Sequence, residues 1–214
     1  VPALSSWRRR RAERSVIDGW QYRVTWKPVE AAAAASVPGT WLALVPLHDA
    51  GDAWAGAVVA ALGGDTVRVE VAAAGLAALT EQLAGLDTAV AGVAWLAGAG
   101  LHPWPDDLLR ALRDAGVEAP LWCVTRGAVS VGRADAPPDP GQAALWGAGR
   151  VAALDHRAAW GGLADLPDVL DDRAAARFRA VLCGLAGPDG EDQVAVRASG
   201  IFGRRLVRVP PGPP

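Results

Sequence analysis

From residue 40 onward, short apolar runs alternate with segments of helical period. Residues 40–45 read as a strand buried on both faces, and residues 66–71 as a second such strand. Residues 88–96 and 119–125 give a third and a fourth strand, the last ended by Arg126-Gly127. Between them lie three helical patterns. Residues 52–62 have Asp52 as a candidate cap, and residues 75–86 repeat Leu76, Leu79, Leu83 and Leu86 at three and four positions. Residues 105–115 turn Leu108, Leu109 and Leu112 inward. Such alternation predicts parallel strands joined by right-handed crossovers, hence an α/β, Rossmann-like sheet that is mostly parallel with helices on both faces. Residues 193–197 and 201–208 add a C-terminal hairpin about Ser199-Gly200.

Ahead of that alternation the period is two. Trp20, Tyr22, Val24 and Trp26 alternate with Gln21, Arg23 and Thr25, which predicts a strand with one apolar and one polar face that Pro28 should end. Residues 4–18 read as a charged lead-in with Trp7 its only large aromatic, and residues 30–38 as an alanine-rich spacer closed by Pro38-Gly39.

The segment 141–167, GQAALWGAGRVAALDHRAAWGGLADLP, follows the turn Pro137-Pro-Asp-Pro140. Residues 142–154 are mostly good helix formers, with Ala144, Ala148 and Ala152 at four-residue spacing and Gly147 and Gly149 beside them. That helix should have a thin face which another backbone can approach closely. The apolar run 160–166 is short enough for a buried strand, and residues 171–183 form the last predicted helix.

Composition narrows the class. Over 214 residues 51% are hydrophobic, enough for a sizeable core, yet no run reaches the roughly 20 apolar residues of a membrane helix. With no apolar signal core behind the basic run Arg8 to Arg11, a cytoplasmic location is the expectation. A net charge of −2, with Lys27 the only lysine, leaves no electrostatic footprint for nucleic acid. Cys123 and Cys183 are expected to be buried free thiols, and without nearby histidines they make no metal site.

A Rossmann-like sheet raises the question of a dinucleotide. Its pyrophosphate needs bare backbone at a helix N-terminus, supplied by a glycine-rich turn after the first strand. Here that turn reads Pro46-Leu-His-Asp-Ala-Gly51, with one glycine. The fragments Gly98-Ala-Gly100 and Gly147-Ala-Gly149 do not extend to the motif and read as packing glycines. A reductase tyrosine–lysine pair one helical turn apart is also missing. Tyr22 and Lys27 are the only candidates, and five positions along a strand put them on opposite faces.

Hydrolytic and metal chemistry find no better support. His48, His102 and His156 are widely separated, no GxSxG elbow is present, and Asp106-Asp107 and Asp171-Asp172 sit at helix starts where capping and the dipole explain them. Trp41, Trp95 and Trp122 fall in predicted central strands and read as core. Trp146 and Arg150, four apart, suggest a guanidinium over an indole, as a surface pair or as an interface anchor.

Several motifs in order carry a resemblance. Gly19-Trp-Gln-Tyr-Arg-Val-Thr-Trp-Lys-Pro28, Leu121-Trp-Cys-Val-Thr-Arg-Gly-Ala-Val129, segment 141–167, Glu191-Asp-Gln-Val-Ala-Val-Arg-Ala-Ser-Gly200 and Phe202-Gly-Arg-Arg-Leu206 closely resemble the ketoreductase region of bacterial modular type I polyketide synthases. The resemblance spans about residues 19–208. It implies the first of the family's two Rossmann-like halves, the truncated structural subdomain, flanked by linkers at 1–18 and 209–214. The family's NADPH loop and catalytic serine, tyrosine and lysine match no position of this chain, so the resemblance implies no catalytic, cofactor-binding or metal-binding residue, with NADPH held only by a catalytic partner subdomain. Leu154-Asp-His156 and Arg157 depart from the family's Glu-His-Pro.

The implied function is to support that catalytic half, or to persist as a vestigial spacer in a non-reducing module. The alternative is one half of a split NADPH-dependent β-ketoacyl reductase. The implied partners are the catalytic subdomain and neighbouring acyltransferase and acyl carrier domains, with no nucleic acid and no membrane. Trp20, Tyr22, Trp26, Trp146, Gly147 and Arg150 are the candidate partner interface, on the polar-backed strand and the thin helix.

Overall fold

A computed structural model describes residues 5–6, 19–31, 36–63, 65–72, 75–86, 88–98, 103–184 and 190–209. Most of the lead-in, residues 32–35 of the spacer, the tail 210–214, His102 and Gly100 lie outside them. The chain divides into two compact units, Pro28–Gly203 and the smaller pair of segments Val1–Lys27 with Arg204–Pro214.

In the larger unit six parallel strands carry the fold: β2 (Thr40–Pro46), β3 (Thr66–Val71), β4 (Val90–Leu96), β5 (Leu121–Arg126), β6 (Trp160–Leu166) and β7 (Gln193–Arg197). Their order is β7-β6-β5-β4-β2-β3, and β8 (Gly200–Arg208) begins antiparallel to β7. Five helices connect them: α1 (Ala53–Leu62), α2 (Leu76–Ala84), α3 (Pro105–Asp114), α4 (Pro140–Asp155) and α5 (Asp172–Gly184). The α/β alternation of the sequence is thus realised.

Strand periodicity sorts the core into two layers. Trp41, Ala43, Val45, Ala94, Leu96, Trp122 and Val124 join α1 and α5 in one apolar cluster. Leu42, Leu44, Val93, Trp95 and Cys123 are buried on the other face, where α2, α3 and α4 pack in a row. The core reading of Trp41, Trp95 and Trp122 is met by rings that are all buried.

Four expectations need correction. Strand β3 is not buried on both faces: it is the sheet edge, and Arg68 and Glu70 point to solvent 3.6 Å apart, a charged pair that discourages further strand pairing. Pro28 does not end the first strand, because β1 (Tyr22–Val29) is the opposite edge and a missing N–H is harmless where no partner accepts it. Trp20 belongs to the turn before that strand. Cys183 is exposed near the end of α5, its thiol 3.5 Å from the Ser36 carbonyl, whereas Cys123 is buried as expected; both are free.

The smaller unit contributes β1 up to Lys27 and the outer part of β8 from Arg204. Val209 N donates to Gln21 O at 2.9 Å, and the Arg208 guanidinium lies 5.8 Å from the Tyr22 ring centre.

Candidate functional site

Strand order reverses between β2 and β4, which lead in opposite directions across the sheet. At such a switch point the carboxyl ends of the strands open a crevice, the usual ligand position in open α/β sheets. Here it holds a cavity of about 200 Å³ whose walls include Pro46, Asp49, Asp52, Trp54, Arg126 and Gln142.

Each wall residue is positioned locally. The Asp52 carboxylate accepts from Trp54 N at 2.9 Å and caps α1, as its sequence position predicts. Its second oxygen is 3.3 Å from Arg126 Nη1, and that guanidinium stands 5.1 Å from the Trp54 ring centre. Trp54 in turn donates its indole N–H to Pro167 O at 3.0 Å. The loops after β2 and β4 meet so closely that a side chain at Gly98 would overlap the Asp49 carboxylate. Gly98 is therefore a close-approach glycine, in line with the packing reading.

Gln142, read from sequence only as a helix former, is the cross-link of this region. From the first turn of α4 its Nε2 donates to Ala97 O at 3.0 Å and Gly98 O at 2.8 Å, and its Oε1 accepts from Arg126 N at 3.2 Å. Asp139 caps the same helix through Gln142 N at 2.8 Å. The glutamine's paired donor and acceptor, buried at that spot, tie the ends of β4 and β5 to one helix.

These residues do not fit a dinucleotide. The α1 N-terminus, where a pyrophosphate would sit, is already occupied by a carboxylate, and Asp49 stands beside it. Among the described residues that line the cavity Arg126 is the one cation, and it is engaged by Asp52 and Trp54.

A second polar cluster lies at the carboxyl ends of β5, β6 and β7. Asp165 is fully buried; its Oδ1 accepts from Thr125 Oγ1 and Ala128 N, both at 2.7 Å. Its Oδ2 takes Arg197 Nη2 at 2.7 Å. Arg197 spends its remaining donors on Asp135 Oδ2 and the carbonyls of Val129, Asp165 and Val196. Burial works against the Arg197 charge, but Asp165 and Asp135 outweigh it and leave its pKa above the ordinary value. Burial likewise pushes Asp135 up, and the Val131 N–H and Arg197 more than offset it, so its carboxyl titrates below the usual range. With every guanidinium donor used, the cluster holds loops in place and has no hydrogen left for a substrate.

The Trp146 indole donates to Thr125 Oγ1 at 2.9 Å and joins this cluster. Trp146 is thus not on the surface: it is 2% exposed, buried because its N–H finds a partner on β5. Its neighbours on α4 face outward, Arg150 exposed and Gly147 with open space where a Cβ would stand. The close-packing glycine is instead Gly149, whose Cβ would come 2.7 Å from Leu163 Cδ2 and 3.1 Å from Trp160. Of the remaining candidates, Trp20 and Tyr22 are exposed and Trp26 is half-buried, all in the smaller unit.

The other titratable candidates have structural partners. His156 Nε2 is 2.7 Å from Asp106 Oδ1, and Arg110 is 2.8 Å from the other oxygen, so Asp106 ties α3 to the end of α4. It does not cap: the α3 N-cap is Trp104, without a side-chain bond, and Asp106 and Asp107 fill the first turn. Asp171 does cap α5, accepting from Ala174 N at 2.7 Å. Burial raises the Cys123 thiol pKa far above its ordinary value and leaves it inert. Among the described residues no three His, Cys, Asp or Glu side chains gather to hold a metal, and no helix is long and apolar enough to cross a membrane.

Fold and site together define an open, Rossmann-like α/β sheet whose switch-point crevice is lined by Asp49, Asp52, Arg126 and Gln142. The family model described as polyketide synthase extender module SpnB, Rossmann fold domain, matches residues 24–206. The chain belongs to that family, and is a ketoreductase-related domain of bacterial type I polyketide synthases. It is 48% identical to polyketide synthase GfsA of Streptomyces halstedii over 97% of its own length, and 49% identical to pikromycin polyketide synthase component PikAII of Streptomyces venezuelae over 91%. It spans only 3% and 6% of those relatives. Among solved structures it resembles A-type ketoreductases from a modular polyketide synthase, with TM-score 0.83 and 42% identity, and a C2-type ketoreductase, with TM-score 0.74 and 46% identity. It covers 92% and 90% of itself there, and 44% of each of those chains.

Proposed function

We propose that this chain is the non-catalytic, structural half of a polyketide synthase ketoreductase, residues 19–208 between two linkers, and that it supports a separate NADPH-binding half. The observation that carries this reading is the occupied α1 N-terminus: Asp52 caps it, Asp49 and Gly98 close the loop in front of it, and Gln142 locks the adjoining strand ends. Tyr22 and Lys27 on β1 add support, since a strand cannot present them as a helical acid–cation pair.

The outer surface of α4 supplies a place for the other half. Ala144, Gly147, Ala148, Val151 and Leu154 recur at three and four residues, and Val151 and Leu154 are 59% and 75% exposed. Small residues at one end and aliphatic ones at the other suit a closely packed helix of the catalytic half. Acyltransferase and acyl carrier domains of the same synthase are the further neighbours.

The test is direct. The purified chain should neither bind NADPH in a fluorescence titration nor reduce a β-ketothioester, and clear binding or turnover by it alone would overturn the structural reading. A second reading, half of a split reductase that is active once its catalytic half docks, draws on the 44% coverage of the solved ketoreductases. Co-expression with a catalytic half should then restore NADPH-dependent turnover, and Val151→Glu should abolish it while leaving the thermal midpoint unchanged.

A further inference from the structure

Two strand pairs of the sheet shift register at the same kind of place. Between β2 and β4, Thr40 faces Val90 but Trp41 faces Gly92, so Ala91 is an extra residue. Between β5 and β6, Leu121 faces Trp160 but Trp122 faces Gly162, so Gly161 is extra. In both, a tryptophan follows the shift and a glycine stands opposite it. The rings lie on those glycines: a Cβ on Gly92 would come 2.5 Å from Trp41 Cη2, and one on Gly162 2.7 Å from Trp122 Cζ3. Gly161 lies under the same indole, where a Cβ would come 2.5 Å from Trp122 Nε1. Both tryptophans are buried in the layer of α1 and α5.

In a half-exposed strand the apolar pattern fixes register, because a slip of one residue turns buried side chains to water. That signal is missing here. Residues 41–46, 92–96, 121–125 and 162–166 are buried on both faces, so a slipped strand exchanges one buried side chain for another. The tryptophan–glycine contacts supply what the pattern does not. A slip that advances β4 or β6 by one residue brings Val93 or Leu163 beneath the indole, and a slip by two brings Ala94 or Ala164. None of these leaves the ring its place. Gly162 adds a backbone condition, since its φ of 153° is readily adopted by glycine alone.

Register at Trp122 also decides what happens three residues further on. Thr125 faces Asp165 in the same ladder and donates to its carboxylate at 2.7 Å, and Ala128 N reaches the same oxygen at 2.7 Å. A slip of one residue would set Ala164 or Leu166 opposite Thr125 and leave the buried Asp165 without that donor.

We propose that Trp41 on Gly92 and Trp122 on Gly161 and Gly162 are register locks of the parallel sheet, and that Trp122 is a positioning residue for the Asp165–Arg197 cluster, about 10 Å along β5 from its ring. The locks act against slipped pairings that the apolar pattern tolerates. Both rings are interior to the larger unit, so the device is independent of any catalytic half.

The experiment is native-state amide exchange on the whole chain, comparing the Ala128 N–H, which Asp165 holds beyond the far end of β5, with the Leu112 N–H in α3 on the other face of the sheet. Trp122→Leu is expected to speed exchange at Ala128 at least about ten-fold more than at Leu112, and Trp122→Phe, which keeps a ring on the glycines, to restore the parent ratio. Equal acceleration at the two amides would show lost packing alone and overturn the proposal, as would parent-like exchange at Ala128 in Trp122→Leu. Should Trp122→Leu fail to fold, a double-mutant cycle at the first lock decides. Gly92→Ala should lower the thermal midpoint by about 5 °C in the parent and leave it unchanged in Trp41→Leu. The same drop in both backgrounds would overturn the locks.

Discussion

The Arg197 guanidinium pairs with the Asp165 carboxylate at 2.7 Å across two parallel strands, in a place where the aspartate has no contact with solvent. Burying that charge is tolerated because Thr125, Ala128 and Arg197 together satisfy it. Arg197→Leu should therefore cost about 3–5 kcal/mol in urea unfolding, since it strands a buried carboxylate. Arg173→Leu, on an exposed turn of α5, should change the midpoint little.

Acid should destabilise the fold through two carboxylates. The His156 hydrogen bond holds Asp106 below the usual range, helped by Arg110 against slight burial, and Asp135 is lowered by Val131 and Arg197 against its own burial. A depressed folded pKa means the unfolded chain binds more protons, so the stabilisation is present above about pH 4 and lost as pH falls through the folded values. The urea midpoint should fall between about pH 5 and about pH 2, and Asp135→Asn should flatten that slope.

Two glycines of α4, two residues apart, should respond oppositely to alanine. At Gly149 the added methyl would press on Leu163 and Trp160, and a loss of about 1–3 kcal/mol is expected. At Gly147 nothing lies within 4 Å, so the better helix former should gain about 0.5–1 kcal/mol. Thermal melts of the two variants check the pair.

Gln142→Leu keeps the bulk of the side chain but leaves the Ala97 and Gly98 carbonyls and the Arg126 N–H without this partner. A loss of about 2–4 kcal/mol is expected, with faster amide exchange at Arg126 as the local readout.

Element order and two of the three helix-cap aspartates, Asp52 and Asp171, were readable because they depend on neighbours in sequence: apolar period, turn residues, a carboxylate before a helix. The one-sided exposure of β3 was readable, because Val67, Val69 and Val71 alternate with Arg68 and Glu70 at the period of a half-exposed strand, unlike the continuous apolar run of β2; its place at the sheet edge was not. Trp146 looked like half of a surface pair with Arg150 because helical spacing says which residues adjoin, not which side of the helix meets the sheet. The Asp165–Arg197–Asp135 cluster left no signal, its members standing 32 and 62 residues apart from Arg197.

The sequence by itself determined the α/β class, the kinship and the lack of a glycine-rich phosphate turn, because each resides in contiguous residues whose period or spacing is local. Tertiary structure decided that the switch-point crevice is lined by Asp52, Asp49 and Gln142, that Gly149 and not Gly147 is the packing glycine, and that Arg197 is saturated. Those outcomes depend on which strand ends meet, and distance in space is set by the packing of the whole sheet.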